Sequence, residues 1–377
     1  MISNRVRNLV LGAGAMGIAT AYQLARRGEP VVLLEQFALG HDRGSSHGEA
    51  RITRHSYADP DYSRRMPAAF RAWRELEAEA GVPLYLRTGG VSICPPGIDY
   101  VGRVVANLAE IGVEHRRMSG RDWNARHPIF GIDPADDVVY EPDAGILLAA
   151  RALEVQLDLA RTFGGDRTVI LDRQPVRRID LDGNHPRVVL DDQVIVADRL
   201  IVTAGAWTSR LLTGWTPRLV ATRQQVIYLQ TDESRSYAIG RFPAFIAIGE
   251  GELNAFYGMP GLTGSSVKVA RHGGLPVDPD QVDRRIAPAH IEELREFLRT
   301  TVPGLADRPI ERTEVCLYTM AEGERFQLGP IPGRPDLIVA SPCSGHGFKF
   351  SPLIGKVLAD LAIDGQTDLD IEPWRPA

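Results

Sequence analysis

Apolar and polar residues alternate along this chain with two different periods. The run NLVL at 8–11 reads as a short buried strand; GAGAMG at 12–17 follows at once and opens MGIATAYQLARRG, whose apolar positions recur at helical spacing. Beyond Gly28 the block VVLLE at 31–35 reads as a second buried strand ending on Glu35. Helical spacing returns in DYSRRMPAAFRAWRELEAEAG at 61–81, ARALEVQLDLARTFGG at 150–165, HIEELREFLRT at 290–300 and LIGKVLADLAIDG at 353–365. Period-two alternation marks RLVATRQQVIYLQ at 218–230 and ELNAFYGMP at 252–260 as strands. The segment VIVADRLIVTAGAW at 194–207 predicts two apolar strands and a turn at Thr203–Gly205. No internal repeat or low-complexity linker separates these blocks, which predicts interleaved domains.

At 377 residues the chain exceeds one comfortable core, so two or three structural units are expected. Its 44% hydrophobic and 24% charged residues match an ordinary globular protein and argue against disorder. A formal net charge of −5 argues against nucleic acid or an anionic membrane as partner, since both ask for a basic excess, and leaves small molecules. Cys94, Cys316 and Cys343 have neither paired nor metal-like spacing, so neither a disulfide framework nor a zinc site is expected. The N-terminal apolar run is broken by glycines, no stretch approaches the roughly 20 apolar residues of a membrane span, and the final RPA is not a peroxisomal address. Cytoplasm is the expected location.

The strand, glycine turn and helix at the N-terminus point to a dinucleotide. Gly12 allows a tight turn, Gly14 lets backbone approach a pyrophosphate, and Gly17 lets the helix pack closely on the strand. Phosphates then sit on the helix N-terminus, where free N–H groups and the dipole favour negative charge. Glu35 stands where an acid can hydrogen-bond an adenosine ribose, which disfavours a 2′-phosphate and hence NADP. FAD and NAD are not separated by this motif. An NAD enzyme would continue with regular βα units, whereas here FALGHDRGSSHGEARITRHSY at 37–57 is polar, basic and glycine-punctuated. With the later strand and ATG-like turn, that order favours FAD.

These pieces, with YEPDAGIL at 140–147, SSVKVARHG at 265–273, VCLYTM at 315–320 and SGHGFKFSP at 344–352, resemble the monomeric sarcosine oxidase and N-methyltryptophan oxidase family from end to end. Members are amine oxidases with covalently attached FAD. The resemblance implies an α/β (α+β) fold in which a Rossmann-like FAD-binding domain, residues 1–85, 140–215 and 325–377, is interleaved with a substrate domain on a mixed or antiparallel sheet, residues 86–139 and 216–324. It implies a monomer that takes a small secondary amino acid and O2.

The resemblance also assigns residues. Gly12, Gly14, Ala15, Met16, Gly17, Glu35, Ser45, Ser46, Arg51, Val176, Cys316, Gly345, Gly347 and Lys349 are implied to contact FAD, with Cys316 Sγ bonded to the flavin 8α-carbon. Lys268 is implied to lie over the flavin for reaction with oxygen, where a fixed cation stabilises developing superoxide charge. Arg51 and Lys349 are implied to hold the substrate carboxylate, with Arg54 and Tyr57 behind them; His272, Tyr257, Tyr318 and His346 are implied to wall the pocket. The implied reaction is hydride transfer to flavin N5, hydrolysis of the resulting imine, and reoxidation by O2 to H2O2, with no metal. Ala50 replaces a hydroxyl residue, Met259 an aromatic one, and the loop 248–255 is slightly longer than in sarcosine-oxidising members, which predicts a substrate larger than or different from sarcosine: another N-alkyl amino acid, a cyclic secondary amino acid or an iminodicarboxylate. Two alternatives stay open: a flavin-dependent amine dehydrogenase with a non-oxygen acceptor, and a non-catalytic flavin-binding subunit.

Overall fold

The computed structural model describes residues 4–212, 214, 219–231, 236–249, 251–262 and 265–376. Arg218, at the start of one expected strand, and Glu250, in the expected loop 248–255, lie outside them; the rest of that expected loop belongs to the paired strands Ala244–Gly249 and Gly251–Pro260. Among the described residues no helix is long and apolar enough to cross a membrane.

RVRNLVL forms the strand Arg5–Leu11, whose last four residues are all buried. It lies parallel between Val31–Leu34 and Val194–Val202; Thr168–Leu171 extends the sheet on one side and Arg334–Ser341 on the other, both parallel. Five parallel strands with the first in the middle make the Rossmann-like arrangement, and such central strands are apolar on both faces. Val10, Leu33, Ile201 and Ile338 pack under the helices Ala15–Arg26 and Ser351–Asp364, while Leu9, Leu34, Leu200 and Val339 fill the other face. Gln327–Ile331 closes one edge antiparallel, and the hairpin Arg178–Asp180 and Arg187–Val189 pairs with the start of Val194–Val202.

Two expected elements differ. VIVADRLIV is one nine-residue strand, not two, because Asp198 meets Arg5 at 2.7 Å and need not end it. DYSRRMPAAFRAWRELEAEAG is a short turn of helix, Pro60–Ser63, and a separate helix, Met66–Ala80. Pro67 explains the break: without an N–H it suits a first helical turn but not a helix interior.

The second sheet runs in the order Ile310–Met320, Val220–Gln230, Ser266–Arg271, Gly251–Pro260, Ala244–Gly249, Gly90–Cys94, Asp137–Glu141, Arg116–Ser119. It is antiparallel except where Gly90–Cys94 runs parallel to Ala244–Gly249. Period-two alternation sends Ile227, Leu229, Val267 and Val269 onto the helix Pro288–Thr301, and Tyr228 and Lys268 to the opposite face. A small sheet, Ala50–Thr53, Gly145–Leu148 and Tyr85–Arg87, lies alongside. The expected cuts at 85/86 and 139/140 fall inside Tyr85–Arg87 and Asp137–Glu141, since hydrophobicity does not report where a chain changes sheets.

Candidate active site

A continuous cavity of about 1100 Å³ runs from the glycine turn of the parallel sheet to the front face of the second sheet. At the turn, Gly12 has φ +100°, and a Cβ there would stand 2.8 Å from the Thr203 carbonyl oxygen. A Cβ at Gly17 would collide with the Gly12 carbonyl and lie 2.7 Å from Thr203 Oγ1, so this glycine serves packing on the turn itself as well as on Thr203. Thr203 Oγ1 donates to the carbonyls of Leu11 (2.8 Å) and Gly12 (2.9 Å), locking the turn to the strand Val194–Val202. The Glu35 carboxylate accepts from Ala13 N at 2.8 Å and Phe37 N at 2.9 Å, and Ser46 Oγ accepts from Ala15 N at 3.0 Å. The helix Ala15–Arg26 has no acidic residue in its first turn and no side-chain N-cap, which leaves its dipole to an anion. Gly14, Met16, Ser45 and Val176 line the same end.

The second sheet supplies the other wall. Along Ile310–Met320 the alternate residues Glu314, Cys316 and Tyr318 line the cavity, while Val315, Leu317 and Thr319 turn away and are buried. Tyr257 and Lys268 reach it from neighbouring strands. Burial and the adjacent Arg51 guanidinium bring the Lys268 ammonium down to about 8; its Nζ lies 3.5 Å from the Ala50 carbonyl. Arg51 donates to the carbonyls of Ala50 (2.9 Å), Ser45 (2.9 Å) and His47 (2.5 Å), so it fixes the polar loop against the cavity. Burial pushes the Cys316 thiol up against the pull of Arg51 and Lys268, and pushes the Tyr257 hydroxyl up to about 12. Burial and Arg51 hold His47 down at about 4.

A chain of polar contacts occupies the far end. His346 Nε2 faces the Glu324 carbonyl at 3.2 Å, and a carbonyl only accepts, so the ring proton is on Nε2. Nδ1 therefore accepts from Tyr57 OH at 3.1 Å, and that hydroxyl accepts from Lys349 Nζ at 2.9 Å. Lys349 also donates to the His346 carbonyl at 2.8 Å, and burial with Arg54 nearby holds its pKa well below the usual lysine range. The Arg54 guanidinium stacks 4.5 Å over the Tyr57 ring, and its buried Nη1 has no hydrogen-bond partner among the described residues. His272 Nε2 lies 3.1 Å from Glu324 Oε1. Gly345, at φ +79°, makes room for both rings: a Cβ there would lie 2.6 Å from His272 Cε1 and collide with Tyr318. Gly347 is required by its own loop, where a Cβ would strike the Pro342 carbonyl.

Every residue expected at the cofactor or substrate lines this cavity except Gly17, which shapes the turn behind it. The expected pairing of Arg51 with Lys349 is not what the structure brings together. Arg51 is tied to three backbone carbonyls beside Lys268, and Arg54 is the guanidinium next to Lys349. Glu324, Thr203 and His47 were outside the expected site. Their sequence signals are faint: Glu324 follows Gly323 just after VCLYTM, and Thr203 sits in the ATG-like turn.

The model of the FAD dependent oxidoreductase family matches residues 7–361. The chain belongs to this family. The monomeric sarcosine oxidase of Bacillus sp. (strain B-0618) is 33% identical over 98% of this chain and 96% of that protein. The peroxisomal sarcosine oxidase of Homo sapiens is 33% identical over 97% and 94%. The solved open form of NikD, an unusual amino acid oxidase essential for nikkomycin biosynthesis, shares the fold with a TM-score of 0.86 at 22% identity, covering 99% of this chain and 97% of that one. As an FAD dependent oxidoreductase the chain has a cavity suited to the cofactor. An uncapped helix N-terminus and Glu35 stand at one end for a diphosphate and ribose, and a sheet face bearing Lys268 and Cys316 stands at the other.

Proposed function

We propose that this protein is an FAD-dependent oxidase of secondary amino acids. The observation that carries the reading is the pair of basic side chains at the far end of the cavity, the half-buried Arg54, whose buried Nη1 has no partner among the described residues, and the buried Lys349 on Tyr57. A buried cation without a counter-ion is costly, and a substrate carboxylate supplies that counter-ion with charge-assisted hydrogen bonds. The names of the sarcosine oxidases among the relatives support the same reading.

Bound FAD supplies the hydride acceptor and carries the electrons onward. Arg54 and Lys349 hold the carboxylate, which fixes the carbon beside the amine in one orientation. Tyr257 and Tyr318 wall the amine side and exclude water, and the Tyr57–His346 contact holds the Lys349 end rigid. Lys268 places a cation where negative charge develops on oxygen. Arg51, Ser45, Ser46 and Val176 hold the cofactor's surroundings, Cys316 is the attachment point, and O2 is the oxidant, reduced to H2O2. Ile246, Ile248 and Ala255 line the cavity with apolar surface, which favours an N-alkyl or cyclic amino acid larger than sarcosine. In this reading the protein works as a monomer in the cytoplasm, where Cys94 and Cys343 stay reduced. The proposed domain division is that at 1–85, 140–215 and 325–377 against 86–139 and 216–324, with the cuts at 85/86 and 139/140 moved off the strands Tyr85–Arg87 and Asp137–Glu141.

The test is peroxide release by purified yellow protein across N-methyl amino acids, L-proline and L-pipecolate, with acid precipitation of a parallel sample. Turnover that favours members larger than sarcosine, with flavin retained in the precipitate, is expected. No peroxide from any member overturns the oxidase reading, and flavin left in the supernatant removes Cys316 as the attachment point.

A further inference from the structure

Alternation along Ile310–Met320 puts a carboxylate, Glu314, on the cavity wall two residues from Cys316, and the oxidase reading gives it no part. Its Oε2 accepts from Tyr228 OH at 3.1 Å, and its Oε1 lies 3.6 Å from Arg312 Nε. The polar loop passes so close that a Cβ at Gly48, φ +91°, would stand 3.0 Å from Glu314 Oε2 and 3.4 Å from Arg51 Nη1. The carboxylate is thus fixed between the sheet and the loop.

Lys268 shares this wall. Strand pairing sets Tyr228 directly opposite Lys268 on one side and opposite Arg312 on the other. The Arg312 guanidinium lies 3.6 Å from the centre of the Tyr228 ring and Lys268 Nζ 5.7 Å from it. An ammonium has three N–H donors. Among the described residues Lys268 makes one hydrogen bond, the 3.5 Å contact to the Ala50 carbonyl, so its charge is balanced through space. The titratable and charged groups around it are Arg51 from Ala50–Thr53, His47 from the polar loop, Tyr228 from Val220–Gln230, Tyr257 from Gly251–Pro260, and Arg312, Glu314 and Cys316 from Ile310–Met320. Arg51 and Arg312 repel the ammonium, and Glu314 is the acid among them. Glu49 meets Arg312 at 2.9 Å, which leaves Glu314 to the inner cations Arg51 and Lys268. Lys268 is also one of only three lysines, with Lys349 and Lys356, among 43 Lys and Arg residues. A buried lysine can titrate near neutral pH, whereas an arginine cannot.

We propose that Glu314 is the positioning residue of Lys268 in the reaction with oxygen: its carboxylate, anchored on Tyr228, holds the ammonium in its charged form and sets the pH at which the oxygen side loses its cation. The inference rests on the reading of the protein as an oxidase with Lys268 facing oxygen. Glu314 then has two opposed effects. It extends the pH range over which Lys268 carries charge, and it weakens the attraction of the wall for negative charge developing on oxygen.

The experiment reads the lysine directly. Protein grown on lysine labelled with 13C at Cε gives three lysine signals, and that of Lys268 is the one lost in Lys268→Met. In the flavin-loaded wild type this signal is expected to titrate at about 8. In Glu314→Gln, nearly isosteric, it is expected about one unit lower, because the ammonium loses its counter-charge. Glu314→Asp, which keeps the carboxylate, is expected to restore the wild-type titration. Tyr228→Phe, which removes the anchoring hydroxyl, is expected to shift it down by about half a unit. Stopped-flow reoxidation of photoreduced holoenzyme by O2 is the second readout. In Glu314→Gln its alkaline limb is expected to move down with the lysine signal, and the rate on the acid side of the limb to rise about 5-fold. A carboxylate that only braces the loop against the sheet would lower the rate at every pH and leave both signal and limb in place. An unshifted Lys268 signal in Glu314→Gln, or in Tyr228→Phe where the first variant does not fold, overturns this proposal alone. A reduced wild-type flavin that O2 does not reoxidise overturns the oxidase reading and this proposal with it.

Discussion

Arg51 lies on the strand Ala50–Thr53 and Arg54 just beyond its end, and both line the cavity. Arg54 is the guanidinium whose charge bears on Lys349, whereas Arg51 bears on Lys268 and holds three carbonyls. Arg54→Met is expected to raise KM about 30-fold, the equivalent of about 2 kcal/mol for a lost charged hydrogen bond, with reoxidation by O2 little changed. Arg51→Met is expected to do the reverse, and an equal rise in KM for Arg51→Met would return the carboxylate to Arg51. Lys268 carries its charge below about pH 8 and loses it above, because burial disfavours the ammonium. The rate constant for reoxidation by O2 is therefore expected to fall as pH rises through about 8. Lys268→Met is expected to be about 100-fold slower and to lack that limb. Wild-type reoxidation that ignores pH would remove the lysine's charge from the account.

The helices Ala15–Arg26 and Ser351–Asp364 come close enough for main chain to touch main chain. A Cβ at Gly355 would stand 2.6 Å from the Ala19 carbonyl carbon and oxygen. Alanine is the better helix former by about 0.5–1 kcal/mol, but overpacking a filled contact costs about 1–3 kcal/mol. Gly355→Ala is thus expected to lower stability in a denaturant melt and to loosen FAD retention, since the first of these helices presents its N-terminus to the cavity. A more stable variant would show that the helices part without penalty. The helical pattern of both segments was legible in the sequence; their approach was not, because glycine inside a helix looks the same whether or not a neighbour requires it.

A buried carboxylate ties the second sheet to the segment that follows the small sheet's strand Ala50–Thr53. Glu141, on Asp137–Glu141 of the second sheet, accepts from His55 N at 2.9 Å, His55 Nδ1 at 2.6 Å, Ser56 N at 3.0 Å and Ser56 Oγ at 2.5 Å. These donors directly follow Arg54 and precede Tyr57, so one carboxylate sets where both point. Burial alone would raise the Glu141 pKa, but the donors outweigh it and hold the carboxyl below its usual range. A lowered folded-state pKa stabilises the protein above the ordinary carboxylate range, and that stability is lost as pH falls through the folded value. Glu141→Ala is expected to cost about 3–5 kcal/mol in urea unfolding, with a smaller loss of stability on acidification than in the wild type. An unchanged acid profile would exclude Glu141 as the titrating group.

The sequence alone determined the local pieces: the apolar runs and glycine turn that make a nucleotide-binding strand and helix, the alternation that makes the second sheet, and the residue types that gather at the site. These depend on near neighbours and on the periods of strand and helix, which a linear pattern records. The tertiary structure decided the pairings: Arg54 and not Arg51 beside Lys349, Glu324 behind His272, Glu141 under His55, and a single strand at 194–202. Each of these except the strand joins side chains more than 50 positions apart, and contacts of that kind are set by how distant strands and loops pack together.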